Sequence, residues 1–143
     1  MTIALVDDQI LSQILRKRVP RILVSKTIFT TGYWYVRLCQ AVLNANDRMG
    51  VLSRPLAELP TPLRDRAIQT VLELPDEIGI VSLRDLAPSI AGLRRDHQLN
   101  ILTIEALAAA IHLDAQVYLS APSPLLEQAL SERHVRVKIL PSK

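Results

Sequence analysis

The residues best placed to do chemistry are carboxylates. Asp7 and Asp8 stand where the apolar run Ile3, Ala4, Leu5, Val6 gives way to a helical pattern. Glu105 opens a second helical pattern near the far end of the chain. In a parallel α/β sheet the carboxyl ends of the strands are where ligands and metals bind, so the topology can carry Asp7, Asp8 and Glu105 to one edge. Mg²⁺ or Mn²⁺ takes oxygen ligands and lowers the pKa of a bound water, which makes a nucleophile for a phosphodiester. Two or three converging carboxylates are the minimum for such a centre. Each acid also has a plainer reading: Asp8 as a cap of the first helix, Glu105 as a negative charge at a helix N-terminus.

Other chemistries find less support. The four glycines, Gly32, Gly50, Gly79 and Gly92, form neither GxGxxG nor GxxxxGK[ST], which removes the usual phosphate loops. No serine sits in a nucleophile elbow. His97 and His134 lie in charged surroundings and read as solvated; His112 reads as a core or boundary residue of a buried helix. Cys39 reads as a small buried hydrophobe on an amphipathic helix rather than a reactive thiol. Three consecutive aromatics, Tyr33, Trp34 and Tyr35, cannot all face a core. They serve either as a helix anchor with one exposed ring or as a groove for bases or a partner helix.

The elements that must position these residues alternate along the chain. Ile3 to Val6 reads as a buried strand, and Ile10, Leu11, Ile14 and Leu15 share one face of a helix from about Asp8 to Arg18, closed by Pro20. A β-branched stretch, Thr27 to Thr31, predicts a strand broken at Gly32, followed by a helix through Tyr35, Leu38, Cys39, Val42 and Leu43. Asn44 to Gly50 reads as a polar loop, and residues 44–75 as a helical insertion, with Thr61 capping a helix that has Pro62 at its first position and ends at Pro75. Ile78 to Val81 predicts a strand. Ser82 and Asp85 then form a loose capping box for a helix running toward His97 despite Pro88. Thr103 is expected to cap a helix through Leu113 that is apolar nearly all round and therefore buried. A strand at Val117 to Leu119, a helix at Pro124 to Arg133 and an edge strand alternating Val135, Val137 and Ile139 with Arg136 and Lys138 complete the series. The expected architecture is one α/β domain, with a mostly parallel sheet of about five strands covered by helices on both faces.

Composition sets the outer bounds. The chain of 143 residues is 49% hydrophobic, sufficient for one proper core. Seventeen basic against fourteen acidic side chains give a net charge of +3, a mild lean toward polyanions such as RNA. A single cysteine allows no internal disulfide, and no Cys/His spacing of metal-site type occurs. Neither a membrane-length apolar run nor a signal-peptide pattern is present, so the expected setting is the cytoplasm.

The order of these features resembles the PIN domain superfamily. Leu5-Val6-Asp7-Asp8-Gln9-Ile10-Leu11 is similar to the opening of that fold, where a strand ends in an acid followed by a small or polar pair and two aliphatics. The stretch Leu102 to Ser120 is similar to its second signature: an acid before an Ala-rich helix, a turn, an apolar strand and a Thr or Ser. Leu125 to Ile139 fits its closing helix and strand. The resemblance covers roughly the first tenth and the last third of the chain, with a weaker match at Thr31 to Leu38. It implies a three-layer nuclease fold related to VapC-type toxins, which are Mg²⁺-dependent ribonucleases, commonly dimeric and bound by an antitoxin protein.

By that resemblance Asp7 is the first acid, Glu105 takes the helical position normally held by Asp, and Ser120 orients water or phosphate. Two further acids are missing: their positions fall at Arg37 and Pro122. An arginine reaching Asp7 and Glu105 would neutralise the cluster that the metal otherwise balances. Alternatively Asp8, Asp85 or Asp114 supplies a ligand; Asp8 is adjacent, whereas Asp114 lies about 13 Å from Glu105 at helical rise. The expectation is a divergent PIN-like homodimer that has lost or weakened its nuclease activity and acts through RNA or an antitoxin-like protein. The alternatives are an active Mg²⁺ or Mn²⁺ ribonuclease with Asp7, Asp8 and Glu105 as ligands and Arg37 on the scissile phosphate, and a small-molecule binding α/β domain.

Overall fold

The computed structural model describes residues 2–44 and 53–141. Their strands are β1 (Ile3–Val6), β2 (Thr27–Thr30), β3 (Gly79–Ile80), β4 (Gln116–Leu119) and β5 (Val137–Ile139). The α-helices are α1 (Asp8–Leu15), α2 (Gly32–Leu43), α3 (Arg54–Ala57), α4 (Thr61–Leu72), α5 (Leu83–Leu93), α6 (Ile101–Leu113) and α7 (Pro124–Glu132). The strands form one all-parallel sheet in the order β3-β2-β1-β4-β5. This is the three-layer α/β architecture expected from the alternation of patterns, and it is consistent with a PIN-like fold. No helix among the described residues is long and apolar enough to cross a membrane.

Strand periodicity explains the layering. Successive side chains of a strand point to opposite faces. Leu5, Val117 and Leu119 accordingly join a core with α5, α6 and α7, while Ala4, Val6 and Tyr118 join a second core with α1, α2 and α4. Central β1 is buried on both sides, with Ala4, Leu5 and Val6 fully out of solvent. Edge strand β5 exposes Lys138 and half-buries Val137 and Ile139, as its alternation predicted. Helix α4 covers α1 and α2, with Val71 buried in their shared core, so that part of the segment expected as an insertion completes a layer. Residues 45–50 of the polar loop lie outside the described residues.

Several boundaries differ from expectation, each for a local reason. Helix α1 stops at Leu15, short of the expected Arg18. The chain leaves it through a Schellman turn in which the Lys17 N–H donates to Ile14 O at 3.0 Å and the Arg18 N–H to Gln13 O at 3.0 Å. Lys17 takes the left-handed conformation, φ 65°, where glycine is favoured and a side chain costs about 1 kcal/mol. Strand β2 ends at Thr30 and Gly32 opens α2, as expected, with Thr31 capping that helix by accepting the Trp34 N–H. Pro60, not Thr61, is the cap position of α4. Asn100, not Thr103, caps α6: its Oδ1 accepts the Thr103 N–H at 2.9 Å. Ser82 does cap α5, but toward Arg84, and the helix ends at Leu93 before His97.

Candidate functional site at the carboxyl edge of the sheet

The strand order reverses direction between β1 and β4. Sequential strands run from β1 outward to β3, after which the chain returns across the other face to β4 and β5. Crevices outside the carboxyl ends of strands at such a reversal are where open α/β sheets bind ligands. Asp7 stands at the end of β1 and Ser120 at the end of β4, one on each side of it.

A direct contact bridges this point. Oδ2 of Asp7 accepts both the N–H and the hydroxyl of Ser120, each at 2.7 Å. Oδ1 accepts the Ile10 N–H at 3.0 Å, which makes Asp7 the cap of α1. The capping role expected of Asp8 thus belongs to its neighbour. Asp7 is buried, and its charge faces the positive end of α1 and three protein donors. Beneath it, the buried hydroxyl of Thr30 donates to Val6 O at 2.8 Å, tying β2 to the same corner.

Glu105 has a different task. It is completely buried on α6, the helix that is apolar nearly all round as expected. Its Oε1 accepts the Tyr33 N–H at 2.9 Å and Oε2 the Gly32 N–H at 3.2 Å. These are the first two residues of α2, so Glu105 satisfies the free donors of another helix in the opposite layer. The approach is close: a Cβ at Gly32 would lie 3.2 Å from Oε2.

Arg37 reaches Asp8 rather than Asp7 or Glu105. Its Nε lies 3.3 Å from Asp8 Oδ2 in a single contact, and its side chain is 53% exposed. Asp8 is buried, with Oδ1 accepting the Gln9 N–H at 2.8 Å and Oδ2 lacking a hydrogen bond. Burial pushes the Asp8 carboxyl above its ordinary value, Arg37 pulls it back, and the adjacent Asp7 adds to the rise.

The other named side chains disperse. Tyr33 is partly exposed, Trp34 is buried in the core with α6, and the Tyr35 hydroxyl donates to Val71 O at 2.7 Å, joining α2 to α4. The trio therefore anchors α2 in both helical layers, with one ring partly in solvent. His97 is not solvated as expected: its side chain is 8% exposed beside Glu132 and Arg133. His112 is exposed instead of lying in the core or at its boundary, and Cys39 is only half-buried.

The three acids of this edge are engaged by the protein itself. Both oxygens of Asp7 and of Glu105 accept protein hydrogen bonds, and Asp8 faces a guanidinium. Among the described residues no three His, Cys, Asp or Glu side chains converge as a metal-binding group. What the arrangement does chemically is hold anionic charge at helix N-termini and lock β1 to β4. No protein-family model and no curated protein sequence matches the chain.

Proposed function

We propose that the chain is a PIN-like domain without metal-dependent nuclease activity that acts by binding, with RNA as the partner favoured by its net positive charge. The observation carrying this reading is the engagement of the carboxylates. Asp7 and Glu105, matched to catalytic acids by resemblance, spend all four oxygens on backbone and serine donors. A cation recruited there would compete with the N–H groups of α1 and α2 for the same oxygens. Arg37, standing where the resemblance places a further acid, supplies positive charge to the same edge.

The rival reading, a Mg²⁺- or Mn²⁺-dependent ribonuclease of VapC type, has one observation in its favour. Asp8 Oδ2 is a buried carboxylate oxygen without a hydrogen bond. Calorimetric titration with each metal, paired with a cleavage assay on single-stranded RNA, separates the two. The binding reading expects no saturable metal heat at millimolar concentration, intact RNA, and RNA retention that weakens steeply with salt. Saturable metal binding lost in Asp7→Asn, with metal-dependent cleavage, would establish the ribonuclease. Neither metal nor RNA binding would leave the small-molecule binding domain.

A further inference from the structure

The strongest unassigned feature lies at the other end of α1. There the C-terminal turn of α1, with α3 and α4, surrounds an open cavity of about 950 Å³. Five cations line it, Arg16, Lys17, Arg18, Arg54 and Arg66, against a single carboxylate, Glu58. None of the five takes part in an ion pair among the described residues. Leu15, Leu59, Leu63 and Ala67 add an apolar part to the lining, with Leu63 itself exposed.

Helix-end electrostatics explain only part of this cluster. Cations are favoured after the C-terminus of α1, which covers Arg16, Lys17 and Arg18. Arg54 instead opens α3, at the positive end, and Arg66 lies in the interior of α4. Three helices therefore bring like charges together around one space, against their mutual repulsion. Arg16 adds a second sign. Its Nε is out of water with no acceptor among the described residues, and burial together with Arg18 lowers its hold on the proton. Lys17 adds a third, a long cationic side chain at the left-handed position where glycine relieves the backbone.

We propose that this cavity binds a compact ligand bearing a phosphate or pyrophosphate group, held by the guanidinium groups of Arg16, Arg54 and Arg66, with its body against the apolar part of the lining. Guanidinium forks match phosphate oxygens, and the volume suits a ligand of nucleotide size. A singly charged carboxylate would leave most of the cluster unbalanced, whereas a pyrophosphate meets several cations at once. The same chemistry is offered by a free nucleotide and by the 5′-phosphate end of a short RNA. The site shares no residue with the carboxyl edge, so it stands or falls independently of the PIN-like reading.

The test is calorimetric titration of the full chain with ADP, inorganic pyrophosphate and adenosine, and with a short oligoribonucleotide carrying either a 5′-phosphate or a 5′-hydroxyl. ADP and pyrophosphate should bind saturably and adenosine should not. Arg54→Gln and Arg66→Gln, both exposed positions, should each weaken binding about tenfold. Lys17→Gly should weaken binding while raising the melting temperature, a divergence that a purely structural role for Lys17 does not produce. If only the 5′-phosphorylated oligonucleotide binds, with the same sensitivity to Arg54→Gln and Arg66→Gln, the ligand is an RNA end and the site is upheld. Absence of binding by every phosphate-bearing probe, affinity unchanged in both arginine variants, or oligonucleotide binding indifferent to its 5′ group would overturn it.

Discussion

Asp8 carries the clearest electrostatic cost in the chain. Its folded-state pKa is raised by burial, so the folded protein holds that proton to higher pH than the unfolded chain does. Stability from this group is full below the ordinary carboxylate range and falls as pH rises through the raised value. Asp8→Asn should therefore match the parent near pH 3 and melt higher at pH 7, by a few degrees on the order of 3 °C; an equal or lower melting point at pH 7 would refute the assignment. Asp7 contributes through its hydrogen bonds, since both of its oxygens accept protein donors. Asp7→Ala removes a helix cap and two bonds to Ser120 and should cost about 3 kcal/mol in chemical denaturation. Ser120→Ala removes only the hydroxyl bond and should cost about 1–2 kcal/mol; equal losses would mean that the bridge is not what holds Asp7. The sequence pointed to Asp7 through the end of an apolar run, a local signal. It had no means of pairing Asp8 with Arg37 or Glu105 with Tyr33, since those contacts join residues 29 and 72 positions apart through the tertiary fold.

At the level of elements, helix N-termini and strand ends meet at the carboxyl edge, and carboxylates satisfy them there. Glu105→Ala should leave the Gly32 and Tyr33 N–H groups without their acceptor and cost about 2–4 kcal/mol; Glu105→Gln, which keeps one acceptor oxygen, should cost less, and a reversed order would argue against the capping role. The opposite edge strand depends on shape. A Cβ at Gly79 would come within 2.4 Å of the Phe29 ring, so Gly79→Ala should cost about 1–3 kcal/mol, with part recovered when Phe29 is also made Leu; additive losses in the double variant would show that the ring is not the obstacle. Periodicity revealed nearly every strand and helix because burial on one face or two leaves a pattern in the chain. Helix ends were less legible. The end of α1 rests on a lysine in a conformation that sequence ordinarily marks with glycine, and α6 is capped by Asn100, three residues before the expected Thr103, whose N–H it accepts.

The whole molecule is two helical layers pressed on a sheet whose middle strand, β1, precedes its partners along the chain. Strand β1 pairs with β2 early in the sequence, but its other partner, β4, begins at Gln116. During synthesis, therefore, Ala4, Leu5 and Val6 wait with one backbone edge unpaired and one face uncovered until α6 and β4 have emerged. Unpaired edges with apolar faces are where nascent chains associate wrongly. The Asp7–Ser120 bridge spans 113 residues and can close only at the end of that interval. The chain's vulnerability is thus one of timing: conditions that slow its last third should favour aggregation of a protein whose finished form leaves β1 no edge at all.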